Sequence, residues 1–204
     1  MKHPKRPACA LAWLATTVVA YPAYAGGLHE GPSIAISGER LTTFSHTSIS
    51  GDVPDEDHSS IALFARHGEV MPFQLPRLAL DGFLTESLTL GGSLSVGSYS
   101  FDPGDLDVFT LQPRVGYVVP IGGSVDFWLK GGFSYYSMDS GAVDESGLGL
   151  SGAFDFVIDL APNFGISLGP SIDFGFIGER STPAGDVDVK YTTLALNVGL
   201  VGWL

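Results

Sequence analysis

The sequence predicts an all-β chain, an eight-stranded antiparallel up-and-down transmembrane β-barrel, on three observations. Residues 191–204 (YTTLALNVGLVGWL) alternate strictly from Leu194 onward. Leu194, Leu196, Val198, Leu200, Gly202 and Leu204 share one face, and Ala195, Asn197, Gly199, Val201 and Trp203 the other. A period of two marks a strand. So apolar a face is an aggregation edge in water but suits hydrocarbon. Second, 45% of residues are hydrophobic and only 16% charged. Yet beyond the N-terminal leader no run approaches the roughly 18–20 apolar residues of a membrane helix. Third, other segments alternate in the same way, with one face apolar and the other polar. Placing the polar face inside inverts the arrangement of a soluble lipocalin-type barrel.

The strands fall at 33–45, 75–84, 88–101, 108–119, 124–138, 148–160, 164–177 and 187–204. Their connections alternate in character. Thr85-Glu86-Ser87, Pro120-Ile121-Gly122-Gly123 and Ala161-Pro162-Asn163 are tight, whereas 102–107, 139–147 and 178–186 are longer, polar and acidic, and 46–74 is the longest. Short turns belong on the periplasmic side of such a barrel. Segment 60–65 (SIALFA) is strand-like. An even strand count assigns it to the first outer loop, as an extension of the sheet above the membrane. A rival register runs the second strand through it, with a break near Pro72 and Pro76. Either way eight strands result.

Val187, Val189 and Tyr191 lie on the parity opposite to Leu194. That predicts a bulge near Thr192-Thr193, or departure of the upper strand from the bilayer. Lipid-facing candidates include Leu90, Leu94, Leu111, Val115, Leu129, Phe133, Phe154, Phe156, Leu168 and Ile172. Aromatic girdles are expected from Tyr117, Phe127, Trp128, Phe164 and Trp203 at the periplasmic interface. The outer girdle draws on Tyr99, Phe101, Phe109, Tyr135, Tyr136, Phe174 and Phe176.

The N-terminus reads as an export signal. Lys2, Lys5 and Arg6 precede an apolar stretch over 8–20, and Ala23-Tyr24-Ala25 supplies an A-x-A cleavage pattern. The expected division is a signal peptide over 1–25 and a barrel over 26–204. The single cysteine, Cys9, falls inside the leader, so the mature chain has no disulfide framework. Losing Lys2, Lys5 and Arg6 leaves seven basic against 22 acidic side chains, a net charge of −15. Nucleic-acid binding, which needs clustered Lys and Arg, is excluded.

Three groups of residues are candidates for chemistry. On the lumen parity stand Arg77, Arg114 and Lys130 with Asp81, Asp126, Asp155, Asp159 and Asp173. An eight-stranded barrel is just wide enough for side chains to fill. These residues therefore predict an ion-pair network; the alternative is a narrow pore lined by surplus acids. Asp105 and Asp107, with Asp186 and Asp188, are repeated Asp-x-Asp pairs that supply oxygen ligands suited to Ca²⁺. They lack the full spacing of an EF-hand loop. Finally, His46-Thr47-Ser48 and His58-Ser59-Ser60 set histidine beside serine. These read as surface loop residues: outer-membrane lipid-modifying barrels do use histidine with serine, but neither segment matches their local motifs well, and sequence proximity does not establish a triad. His29 and His67 complete the histidines beyond the leader.

With a leader, eight alternating strands, three tight turns and an aromatic-bearing last strand, the chain resembles the OmpA-like and OmpX-like small outer-membrane β-barrels. The resemblance is one of pattern over 26–204. It differs at the end, where Trp203 is penultimate and Leu204 last. It implies residence in a Gram-negative outer membrane, contact with outer-membrane lipid and lipopolysaccharide, and insertion by the barrel-assembly machinery. It also implies a non-enzymatic envelope or surface-interaction role through acidic outer loops, with no cofactor. A lipid-modifying enzyme, a narrow porin-like pore and a soluble ligand-binding barrel are the alternatives.

Overall fold

The computed structural model describes residues 27–30, 32–63, 71–100, 105–141 and 143–204. The expected signal peptide, Phe101 and His67 lie outside the described residues. Among the described residues a short 3₁₀ turn, Leu28–Glu30, precedes nine antiparallel strands. They are β1 (Ile34–Gly51), β2 (Glu56–Leu63), β3 (Arg77–Phe83), β4 (Leu88–Ser100), β5 (Asp105–Gly122), β6 (Val125–Asp139), β7 (Asp144–Ala161), β8 (Phe164–Thr182) and β9 (Gly185–Trp203). β9 pairs with β1 from Ala35↔Trp203 to Gly51↔Val189, which closes the sheet into a barrel.

Nine strands make eight staves. β2 and β3 both run against the same edge of β1, β2 along Thr42–Ile49 and β3 along Ile34–Glu39. They are two halves of one stave, and residues 71–76 before β3 lie outside any strand. The strand-like 60–65 segment is thus no appendage above the second strand. Its described part belongs to the upper half of that strand, as the rival register had it. Proline explains the break. Pro72 and Pro76 donate no ladder hydrogen bond, and residues 72–75 turn inward and are buried.

Five strands run for 18 or 19 residues, well beyond the roughly 9–11 that a tilted strand needs to span a bilayer. The excess projects outward as paired sheet. Much of what the sequence marks as long polar loops, 139–147 and 178–186 above all, is therefore hairpin. Serine, glycine and aspartate continue the alternation there without interrupting the ladder. The periplasmic turns are tight as expected. Gly123 (φ 63°) and Asn163 (φ 65°) take the left-handed backbone that such turns demand. The Asn163 amide also donates to the Trp203 carbonyl at 2.9 Å, tying the β7–β8 turn to the end of β9.

Lipid-facing alternation holds around the barrel. Leu90, Leu94, Leu111, Val115, Leu129, Phe133, Phe154, Phe156, Leu168 and Ile172 are all exposed on the outer surface. Apolar residues outside and polar ones within reverse the order of a soluble ligand-binding barrel. The girdle is only partly as expected. Tyr117, Phe109, Tyr135, Phe164 and Phe174 face outward, whereas Trp128, Trp203 and Tyr136 are buried in the lumen. β9 needs no bulge near Thr192-Thr193. Its odd-numbered residues Val189 to Trp203 point inward without a break in parity, and the register shift lies beside Gly175–Glu179 of β8.

Candidate functional site

The lumen is filled in three layers. At mid-height Arg114 grips Asp81 through two hydrogen bonds, Nε to Oδ1 at 2.9 Å and Nη2 to Oδ2 at 2.5 Å. Its Nη1 donates to Glu39 at 2.8 Å. Lys130 bridges Glu39 (2.5 Å) and Asp155 (2.6 Å), and its ammonium lies 4.6 Å from the centre of the Trp128 ring. On the other side Arg40 pairs with Asp173 at 2.6 Å and Arg77 approaches the same carboxylate at 3.5 Å. Arg77 also donates to Gln112, and Ser151 to Asp173 at 2.5 Å. Four cations thus face four carboxylates. The bidentate Arg114–Asp81 pair, with the single contacts around it, offsets part of the cost of desolvating these charges.

Two of those eight, Glu39 and Arg40, escape a reading by alternation. They are adjacent, so a regular strand sends them to opposite faces. The register of β1 against β9 slips between Gly38 and Thr42, and Arg40 sits at φ 57°. This bulge turns both side chains inward. Conversely, Asp126 and Asp159 do not join the network predicted for them. Each lies near the periplasmic end of its strand, below the buried Trp128 ring. Asp126 is met there by His29, whose Nδ1 lies 2.9 Å away, and Asp159 is half-buried beside the same mouth.

An apolar layer lines that mouth. Leu28 packs against Ala35, Val118, Trp128, Val157, Val201 and Trp203, with Phe83 alongside. Toward the outside a second layer joins Phe73 to Ile49, Tyr136, Val189 and Tyr191. Phe73 meets the Tyr136 and Tyr191 rings edge-on, at centroid separations of 5.2 and 6.4 Å. Hydrogen bonds hold its segment in place. Thr110 donates to the Pro72 carbonyl (2.9 Å), Ser95 to that of Pro76 (2.6 Å), and Gln74 spans Thr47 and Ser60 at 3.0 Å each.

No protein-family model and no curated protein matches the sequence. Solved structures do. Neisserial surface protein A shares 14% identity at a TM-score of 0.54, over 84% of this chain and 97% of its own. The outer membrane protein AlkL, determined in lipid bilayers, shares 11% identity at 0.53, over 90% of this chain and 96% of its own. The chain has the fold of a small outer-membrane β-barrel.

On the outer rim of this barrel the Asp-x-Asp pairs are exposed and separated. Asp105 and Asp107 belong to β5, and Asp186 and Asp188 to β9. Among the described residues no group of three His, Cys, Asp or Glu is disposed to hold a metal ion. The histidines pair differently from their sequence neighbours. His46 reaches not Ser48 but Ser59 across the β1–β2 pair, Nδ1 to Oγ at 3.0 Å, with Nε2 3.9 Å from Asp57. His58 Nε2 lies 3.2 Å from Glu56. Ser48, in turn, donates to Asp57 at 2.8 Å.

Proposed function

We propose that this outer-membrane barrel is sealed, and that its role is surface interaction through the acidic outer rim rather than passage through the lumen. The carrying observation is the lumen itself, in which an ion-pair layer lies between two apolar layers of buried side chains. A conducting path needs continuous water. Here carboxylates and cations are spent on one another, and aromatic rings stand above and below them.

The rim offers the opposite chemistry. Asp52, Asp55, Glu56 and Asp57 on the first hairpin, Asp139 and Asp144 on the third, and Glu179, Asp186 and Asp188 on the fourth are exposed, set against Arg180 and Lys190. Such exposed carboxylates, most of them on paired strands, attract cationic partners over roughly a Debye length. The partner class is therefore a basic polypeptide, or lipopolysaccharide phosphates joined through divalent ions. The barrel-assembly machinery inserts the mature chain after removal of the signal peptide.

Nanodisc-embedded barrel tested against poly-lysine checks this reading. Binding is expected to weaken at least ten-fold when Asp52, Asp55, Asp186 and Asp188 become Asn. Raising the salt should weaken it in the same direction. Equal binding by parent and variant would remove the rim from the account.

A further inference from the structure

We propose that Ser59, His46 and Asp57 form a serine hydrolase site on the outward face of the β1–β2 pair, directed at acyl esters of outer-leaflet lipids. This goes beyond the surface-interaction reading and shares with it only the orientation of the barrel.

The geometry comes from strand pairing. His46 stands directly opposite Ser59, and Asp57 is one same-face step further along β2. Opposite and diagonal neighbours on one face of an antiparallel pair are within reach of an imidazole. Asp52 donates its amide to Asp188 of β9, which makes the even-numbered residues above the β1 bulge the hydrogen-bonded partners of β9. His46 and Ser59 are therefore a non-hydrogen-bonded pair, the type with the closer side chains. The resulting contact is 3.0 Å from Nδ1 to Oγ. Asp57 lies on the Nε2 side of the ring and is itself fixed by Ser48 at 2.8 Å. At 3.9 Å, beyond hydrogen-bond distance, its charge favours the tautomer with the proton on Nε2. Nδ1 is then the base that accepts the Ser59 hydroxyl proton.

The same parity directs the Ser59 amide away from β1, toward the other edge of β2. Among the described residues no strand pairs with that edge. The nucleophile's own N–H is thus left free of strand pairing and is the donor we assign to the oxyanion.

The surroundings select the substrate. One step toward the membrane on the same face, Phe44 and Ile61 pair outward, both more than half exposed. Leu194 lies beside His46 across the β1–β9 pair and is also exposed. A hydrocarbon chain lying along Phe44, Ile61 and Leu194 brings its ester carbonyl to Ser59. On this face exposed apolar residues give way to polar ones between Ile61 and Ser59, the boundary a lipid ester would meet.

The reaction balances with water as its only co-reactant. Ser59 Oγ bonds to the ester carbonyl carbon while His46 takes its proton. As the C–O bond to the alcohol breaks, His46 gives that proton to the departing oxygen. Water then attacks the acyl-serine and loses a proton to His46, which returns it to Ser59 as the free fatty acid leaves.

The test uses the full barrel refolded in detergent micelles, with p-nitrophenyl octanoate as probe. Each variant is first checked for the heat-modifiable gel shift of a folded barrel. The parent should release nitrophenol above the protein-free rate, and Ser59→Ala and His46→Asn should each lose at least about 100-fold of that excess. Asp57→Asn, a change at a positioning residue, should lower kcat and shift the acid limb of the pH–rate profile. A fluorophosphonate should add to Ser59 in the parent, read by peptide mass spectrometry, and fail to add in His46→Asn. Free fatty acid released from phosphatidylethanolamine vesicles or from lipopolysaccharide identifies the source of the ester. Release from neither overturns the lipid assignment. Hydrolysis that persists in Ser59→Ala, or a parent that neither cleaves the probe nor takes the fluorophosphonate, overturns the site. Poly-lysine binding by Ser59→Ala reports on the surface-interaction reading separately.

Discussion

Glu39 touches two cations at once, Arg114 at 2.8 Å and Lys130 at 2.5 Å, from within a bulge. Neutralising it strands part of both charges in a buried setting. Glu39→Gln is expected to destabilise the barrel by about 3 kcal/mol, read as a lower urea midpoint in micelles. A midpoint unchanged from the parent would mean that water compensates these cations. At this scale alternation reveals Arg77, Asp81, Arg114, Lys130, Asp155 and Asp173, because each sits in an unbroken run of its strand. Glu39 and Arg40 are hidden for a physical reason. The bulge changes the β1–β9 pairing sum by two, from Gly38↔Leu200 to Thr42↔Val198. Ile36 and Phe44 therefore keep the same parity on either side of it. A two-residue insertion leaves no trace in a pattern of period two.

The second stave shows what proline does to an element. Its upper half, β2, and lower half, β3, keep the same partner, while the segment between them supplies Phe73 to the lumen. Phe73→Ala leaves the Tyr136 and Tyr191 rings without their edge-on neighbour. It should cost roughly 3–5 kcal/mol, seen as a lower temperature for the heat-modifiable transition. No change in that temperature would show Phe73 to be dispensable to the outer layer. Pro72 and Pro76 mark the break in the sequence, but nothing in the pattern says that the intervening chain turns inward. A second element-level constraint is Gly169 in β8. A Cβ there would stand 1.9 Å from the Phe154 carbonyl oxygen of β7. Gly169→Val should therefore prevent these strands from pairing and yield no heat-modifiable form; a normally folding variant would contradict the register.

For the whole molecule, the pattern discloses which face of each strand is lipid-exposed. It does not disclose what fills the barrel at each height. With an interior expected to be polar throughout, the pattern places Trp128, Tyr136 and Trp203 in the girdles. The structure places them inside, where Leu28 and Phe73 pack against them at the two ends. On the sealed-lumen reading, these rings occupy the space that a continuous water path would need. The central claim, a sealed lumen, is tested most directly by planar-bilayer recording of the purified full-length mature barrel in concentrated potassium chloride. The account predicts insertion without discrete current steps above the bare-membrane baseline. Reproducible unitary steps from the parent protein would contradict it.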